Sequence, residues 1–244
     1  MQTKLCVLVV ALSLLIVLLS AGVHGDPSGD VIYVNCELAE NGDGSSWGAA
    51  YNDLQDALGA AEPGDEVWIA EGVCYPAENA LDLSASFELK GGVTLYGGFE
   101  GTETKLEERE WTAHLTVLSG DLDRNDGTSG DGLAVFDFAI EGRNAIHVVT
   151  ADGLSAPAGL DGVVVTGGQA AGAAEEARGG GIFAQSVELD LENVAVVGNR
   201  AAVAGGGLFA ADSKTVLHQV TFSENGAGSD VLLMSEFLGG AGMF

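Results

Sequence analysis

The sequence predicts an all-β chain of stacked coils built from parallel strands and opened by one α-helix. Three observations predict it. Residues 179–199, GGGIFAQSVELDLENVAVVGN, are followed by residues 205–225, GGGLFAADSKTVLHQVTFSEN, so a glycine triplet, an apolar pair and a terminal asparagine recur after 26 residues. Periods of this size mark stacked coils or leucine-rich arrays, and the spaced leucine consensus of the latter is absent. The chain also has 37 glycines against four prolines, and the glycines punctuate short β-branched runs instead of forming a linker. Several of those runs are continuously apolar, the pattern of parallel strands covered on both faces.

Taken in order, residues 1–25 carry Lys4, an apolar run over 5–19 and small residues ending at Gly25. This is the layout of a secretory signal peptide, with an uncleaved signal anchor as the other reading; the run is short for a membrane span. Export places the remainder, 26–244, outside the cell or on its surface as one domain. A strand over 31–34 comes first. Residues 46–61, SWGAAYNDLQDALGAA, then set Ala50, Leu54, Ala57, Leu58 and Ala61 on one helical face, with Asp53, Gln55 and Asp56 largely opposite. Such a helix can cap the exposed end of an apolar column. After the turn at Pro63-Gly64, further strands are expected over 67–70, 93–96, 115–118, 146–150, 163–166, 194–197 and 220–222, each closed by Gly, Asn or Asp.

A third copy of the repeat, LDGVVVTGGQA from Leu160, matches LENVAVVGNRA from Leu191, so the clearest repeats run over 160–225. Five residues are inserted between these copies, within AAGAAEEAR. Beyond Asn225, GSDVLLMSEF can start one further turn, and a bare end would invite end-to-end self-association.

Thirty-six acidic residues against nine basic ones give a net charge of −27. Such a surface repels nucleic acid and anionic lipid, and accepts a polyanionic glycan only through bridging cations. No later stretch is apolar enough to span a bilayer. Cys6 belongs to the leader; Cys36 and Cys74 remain, as one disulfide or as two free thiols.

GGGIF with VVGN, and GGGLF with FSEN, resemble the secreted right-handed parallel β-helix, pectate-lyase-like proteins, in particular those with polymorphic-outer-membrane-protein-type repeats. Phe222-Ser-Glu-Asn225 fits the family's F-x-x-N, whereas Val196 stands where the other copy needs Phe. IYVN, GDGSSWGAAYNDLQDAL, PGDEVWIAEGVCYP, GGVTLYGGFEGTE and LSGDLDRNDG extend the similarity over residues 31–236. The resemblance implies a right-handed parallel β-helix. It says little of activity, because one scaffold hosts many functions.

Relatives of this kind include polysaccharide lyases and glycosidases. A lyase needs a base and a cation, for which Arg143, Arg178, Arg200, His147 and His218 are candidates. A glycosidase needs two facing carboxylates; Asp190 and Glu192 alternate along one strand and so share a face. No motif selects among them, and the catalytic residues stay unknown. Residues 119–132, SGDLDRNDGTSGDG, place Asp121, Asp123 and Asn125 at the alternating spacing of calcium ligands, although Gly127 falls one place late for an EF-hand and Gly132 replaces its closing Glu. The loop is read either as a calcium site or as a solvated turn. Repetition builds a long surface and not a unique pocket. The expected role is therefore non-catalytic: structural, adhesive or carbohydrate-binding, with an extracellular glycan or protein surface as partner. A carbohydrate-active enzyme is the alternative.

Overall fold

Short apolar runs separated by glycine become short parallel strands. The structure is a computed structural model and describes residues 29–129, 132–134, 137–228 and 237–238; the leader expected over 1–25 lies outside the described residues. Among these the chain is all-β, with one α-helix, Leu54–Ala60, and a few single 3-10 turns. Every strand-to-strand pairing among them is parallel, and the pairings form four separate sheets of seven, five, four and three strands. No described helix is long and apolar enough to cross a membrane.

The spacing in the sequence is the register of the sheets. Ile182 pairs with Leu208, Glu188 with Lys214, Ala195 with Thr221 and Arg200 with Gly226, each 26 residues on. Leu160 pairs with Leu191 and Gln169 with Arg200, each 31 residues on. The five extra residues leave the sheets between Ala170 and Ile182, where the 3-10 turn Ala174–Ala177 forms. Beyond the last repeat, Phe237–Leu238 pairs with Thr215 and Val216.

Rows of apolar residues follow from that register. Val67, Leu95, Leu160, Leu191 and Leu217 are successive neighbours in the seven-stranded sheet. Cys74, Leu118, Val165 and Val196 do the same in the five-stranded sheet, and Phe87, Val149 and Ile182 in the four-stranded one. All three rows meet in a single core.

The repeated glycine triplet and asparagine belong together. Gly179 and Gly205 have φ of 68° and 65°, the left-handed region where glycine alone is unstrained. Gly180 and Gly206 lie so close to the carbonyls of Arg200 and Gly226 that a side chain would collide. At Gly181 a Cβ would fall 3.0 Å from Asn199 Nδ2, and at Gly207 one would fall 3.1 Å from Asn225 Nδ2. The third glycine therefore makes room for the asparagine amide. Asn199, fully buried, uses it completely: Oδ1 accepts Gly168 N at 2.9 Å, while Nδ2 lies 3.0 Å from Val165 O, Val197 O and Asn225 Oδ1. Asn225 repeats the contact one turn on, donating to Val196 O at 2.7 Å.

The helix expected over 46–61 is shorter than expected. Residues Trp47–Ala49 form a 3-10 turn, and Tyr51 is drawn beside Val34, with Asn35 N donating to Tyr51 O and Tyr51 N to Tyr33 O. An extended Tyr51 cannot be helical, so the α-helix starts at Leu54, capped by Asp53, whose carboxylate accepts Gln55 N at 2.8 Å. Leu54, Ala57, Leu58 and Ala61 nevertheless enter the core as the pattern requires. Lys90 Nζ donates to the Gly59 and Ala61 carbonyls at the helix C-terminus, where a cation is favoured. The strand expected over 146–150 begins only at Val149, which leaves His147 outside it.

Candidate functional site

A cavity of about 290 Å³ opens beside the joined cysteines, lined by Cys36, Glu37, Asp53, Tyr75, Glu78 and Arg124 among others. Cys36 follows the first strand, Val31–Val34, Cys74 ends the strand Gly72–Cys74, and a disulfide ties them. Glu37 is held against the second of these strands, its Oε1 accepting Val73 N at 3.3 Å. Asp53 reaches the cavity as the helix cap; burial pushes its carboxyl up, the Gln55 N–H bond opposes, and Asp56 and Glu78 push it further.

Tyr75 and Arg124 form the other wall. The Arg124 guanidinium carbon lies 4.6 Å from the Tyr75 ring centroid, within cation–π range, and Nη2 is 3.7 Å from Glu78 Oε1. Burial raises the Tyr75 hydroxyl; Arg124 opposes this, while Asp121, Glu37 and Asp126 add to it. Arg124 has φ of 57°, unusual for a non-glycine residue. The cause lies in Asp121, whose two carboxylate oxygens accept Asn125 N at 3.1 Å and Asp126 N at 3.0 Å and so pull the chain into a tight turn around Arg124.

Of the three residues read as calcium ligands, Asp121 faces those backbone donors and is 5 % exposed. Asp123 accepts Arg143 N at 3.1 Å, and its carboxylate and the Asn125 amide both lie against Gly142. Among the described residues, no three His, Cys, Asp or Glu side chains gather as a metal cage.

Of the candidate bases, only His147 and Arg178 are linked, through the stacked rings of Phe183 and Phe209. His147 is partly buried, with Nδ1 at 2.9 Å from Gly179 O and its ring 4.9 Å from that of Phe183. Arg178 lies over Phe209 at 5.4 Å, on the same flank. His218 sits on the seven-stranded sheet with Nδ1 3.1 Å from Glu192 Oε1. Arg143 belongs to the acidic loop's return, and Arg200 to the short strand Arg200–Ala201. Asp190 and Glu192 do share a face with Glu188, beside Lys214 and His218. Burial, then Glu188, pushes the Asp190 carboxyl up, and Lys214 opposes.

Two histidines titrate in opposite directions. The bond to Glu71 raises His114 above 6.5, so its contribution to stability is present below about 6.5 and lost as pH rises through its folded value. Burial lowers His147 below 6.5; its contribution is present above about 6.5 and lost as pH falls through its folded value. Ring NMR should therefore show His114 titrating above His147. The reverse order, or coincident midpoints, would contradict the packing described.

Sequence reasoning missed Asp53, Tyr75, Glu78 and Arg124, whose only local sign is the closeness of Tyr75 to Cys74. It also missed Arg109, whose side chain is 9 % exposed, bonded to Asp161 at 2.5 Å and set between the rings of Tyr96 and Trp111. Against known proteins, the chain matches no family model, no curated protein and no solved structure.

Proposed function

We propose that the chain is an exported right-handed parallel β-helix, capped by the helix Leu54–Ala60, with a non-catalytic adhesive or carbohydrate-binding role. A register of 26 residues in all four sheets between the last two repeats, and of 31 residues in three of them between the copies before, supports the coil reading. One observation carries the functional reading: an aromatic ring and a guanidinium face carboxylates around one cavity. Carboxylates accept sugar hydroxyls, a guanidinium donates to ring and hydroxyl oxygens, and an aromatic face stacks on a pyranose. Glu37, Asp53 and Glu78 against one arginine favour a neutral or amino sugar over a uronate.

Titration of the full chain with a panel of neutral, amino and acidic oligosaccharides tests this. A neutral or amino glycan should bind, and Tyr75→Ala and Arg124→Ala should each weaken it about tenfold. Binding that both variants leave intact would reject the cavity as its seat.

The glycosidase alternative rests on Asp190, a carboxyl pushed up beside Glu188 and Glu192 on one open face. It requires a reducing product from the same panel that Asp190→Asn abolishes.

A further inference from the structure

The turn around Arg124 and the return segment behind it bring together three buried polar side chains, Asp121, Asp126 and Asn144, at 5 %, 9 % and 3 % exposure. Asn144 stands opposite Asp121 in an antiparallel bridge, flanked by Leu122 N donating to Arg143 O and Ala145 N donating to Gly120 O. That is the non-hydrogen-bonded kind of pair, in which the two side chains lie close on one face.

Asn144 Nδ2 places both protons, on Asp126 Oδ2 at 2.7 Å and on Gly167 O at 2.8 Å. Its Oδ1 is buried and has no partner. Turning the amide over would set an oxygen against the Asp126 carboxylate and the Gly167 carbonyl, two acceptors, so the orphan is fixed as an acceptor. A buried acceptor without a donor is rare and costly. Among the described residues, no Lys, Arg or His is ion-paired with Asp121 or Asp126. The cluster thus holds two carboxylates without an ion-pair partner and a free amide oxygen.

We propose that this cluster is a divalent-cation site of the hard, oxygen-liganded kind that calcium fills, with Asn144 Oδ1 and the remaining lone pairs of the Asp121 and Asp126 carboxylates as its protein ligands. Two carboxylates match the charge of the ion, and calcium's flexible coordination accepts an irregular oxygen set completed by water. Of the three evenly spaced residues only Asp121 belongs to this ligand set. Asp121 and Asp126 are the two ends of the turn that carries Arg124, so a cation joining them fixes the wall of the neighbouring cavity. The site stands whether or not that cavity takes a glycan.

The test is calorimetric titration of the full chain with calcium chloride at physiological salt, paired with thermal melts in calcium and in chelator. The wild type should take up one ion and melt about 3–6 °C higher in calcium. Asn144→Leu should lose both responses. Asn144→Asp, which adds a carboxylate where the orphan oxygen stands and removes the amide donors, should melt lower than wild type in chelator and show at least twice its calcium gain. Asp123→Asn and the surface variant Glu107→Gln should leave the isotherm unchanged. If Asn144→Leu does not fold, Asn144→Asp still decides. A wild type indifferent to calcium, a calcium response equal in wild type and Asn144→Asp, or one abolished by Asp123→Asn would each overturn the proposal; the first would leave a water on Asn144 Oδ1.

Discussion

Replacing Asn199 by alanine should cost about 4 kcal/mol, because the Gly168 N–H and the Val165 and Val197 carbonyls would lose a partner in the core at roughly 1–3 kcal/mol for each buried group. Water cannot easily replace the amide, since Asn199 is fully buried and the space at Gly181 is shaped to it. Asn199→Asp provides the control. It keeps the shape and can still accept Gly168 N, but it turns the donor facing two carbonyls into an acceptor. Chemical denaturation should find it at least as damaging as alanine. A loss under about 1 kcal/mol for either variant would mean that the asparagine fills space without holding adjacent turns together.

The second large effect is expected at the disulfide. Cys36 and Cys74 close a loop with a sequence separation of 38, for which chain entropy alone gives about 4 kcal/mol. The double variant Cys36→Ser/Cys74→Ser should show that drop in denaturant, and the oxidised wild type should lose a similar amount on reduction. Glycan binding should weaken in parallel, because Cys36 and Glu37 form part of the cavity wall. Unchanged stability would show that pairing of Val31–Val34 with Glu66–Ala70 already fixes this end of the chain.

The repeat was legible because its residues are all constrained by one packing arrangement. Three glycines and an asparagine must recur together when the asparagine amide of each repeat occupies the space left by the third glycine of that same repeat. Strands buried on both faces, such as Val163–Thr166, were also legible from an unbroken apolar run. Glu188–Glu192 and Lys214–His218 stand outside such runs, because their outer side chains meet water and alternate with the core residues Leu189, Leu191 and Leu217; the first was legible only through the alternation of Asp190 and Glu192. Parallel strands with one wet face look like antiparallel ones in sequence. Tyr51 hid for a different reason: its place beside Val34 ends a helical pattern that local residues would have continued.

The cavity was illegible because its walls come from distant segments. Glu37, Asp53, Tyr75 and Arg124 converge only after a disulfide closes, a helix is capped and a turn forces Arg124 into the left-handed region. The spacing in the acidic loop shows only part of its surroundings for a related reason. Alternating oxygen donors converge on an ion only when the chain curls around it; here Asp121 curls the chain around its own carboxylate, and Asn144, distant in sequence, supplies the free oxygen.

Parallel pairing also gives the molecule a mechanical direction. If the sheets wind into the coil proposed above, bonds between neighbouring turns lie along the line in which the turns succeed one another, and an end-to-end pull loads each bond along its own length. Turns then open singly, each 26-residue segment paying out about 90 Å of extended chain. The Cys36–Cys74 bond forbids this at the first turns. On that reading tension is absorbed stepwise from the opposite end, while the loop between Cys36 and Cys74 stays closed.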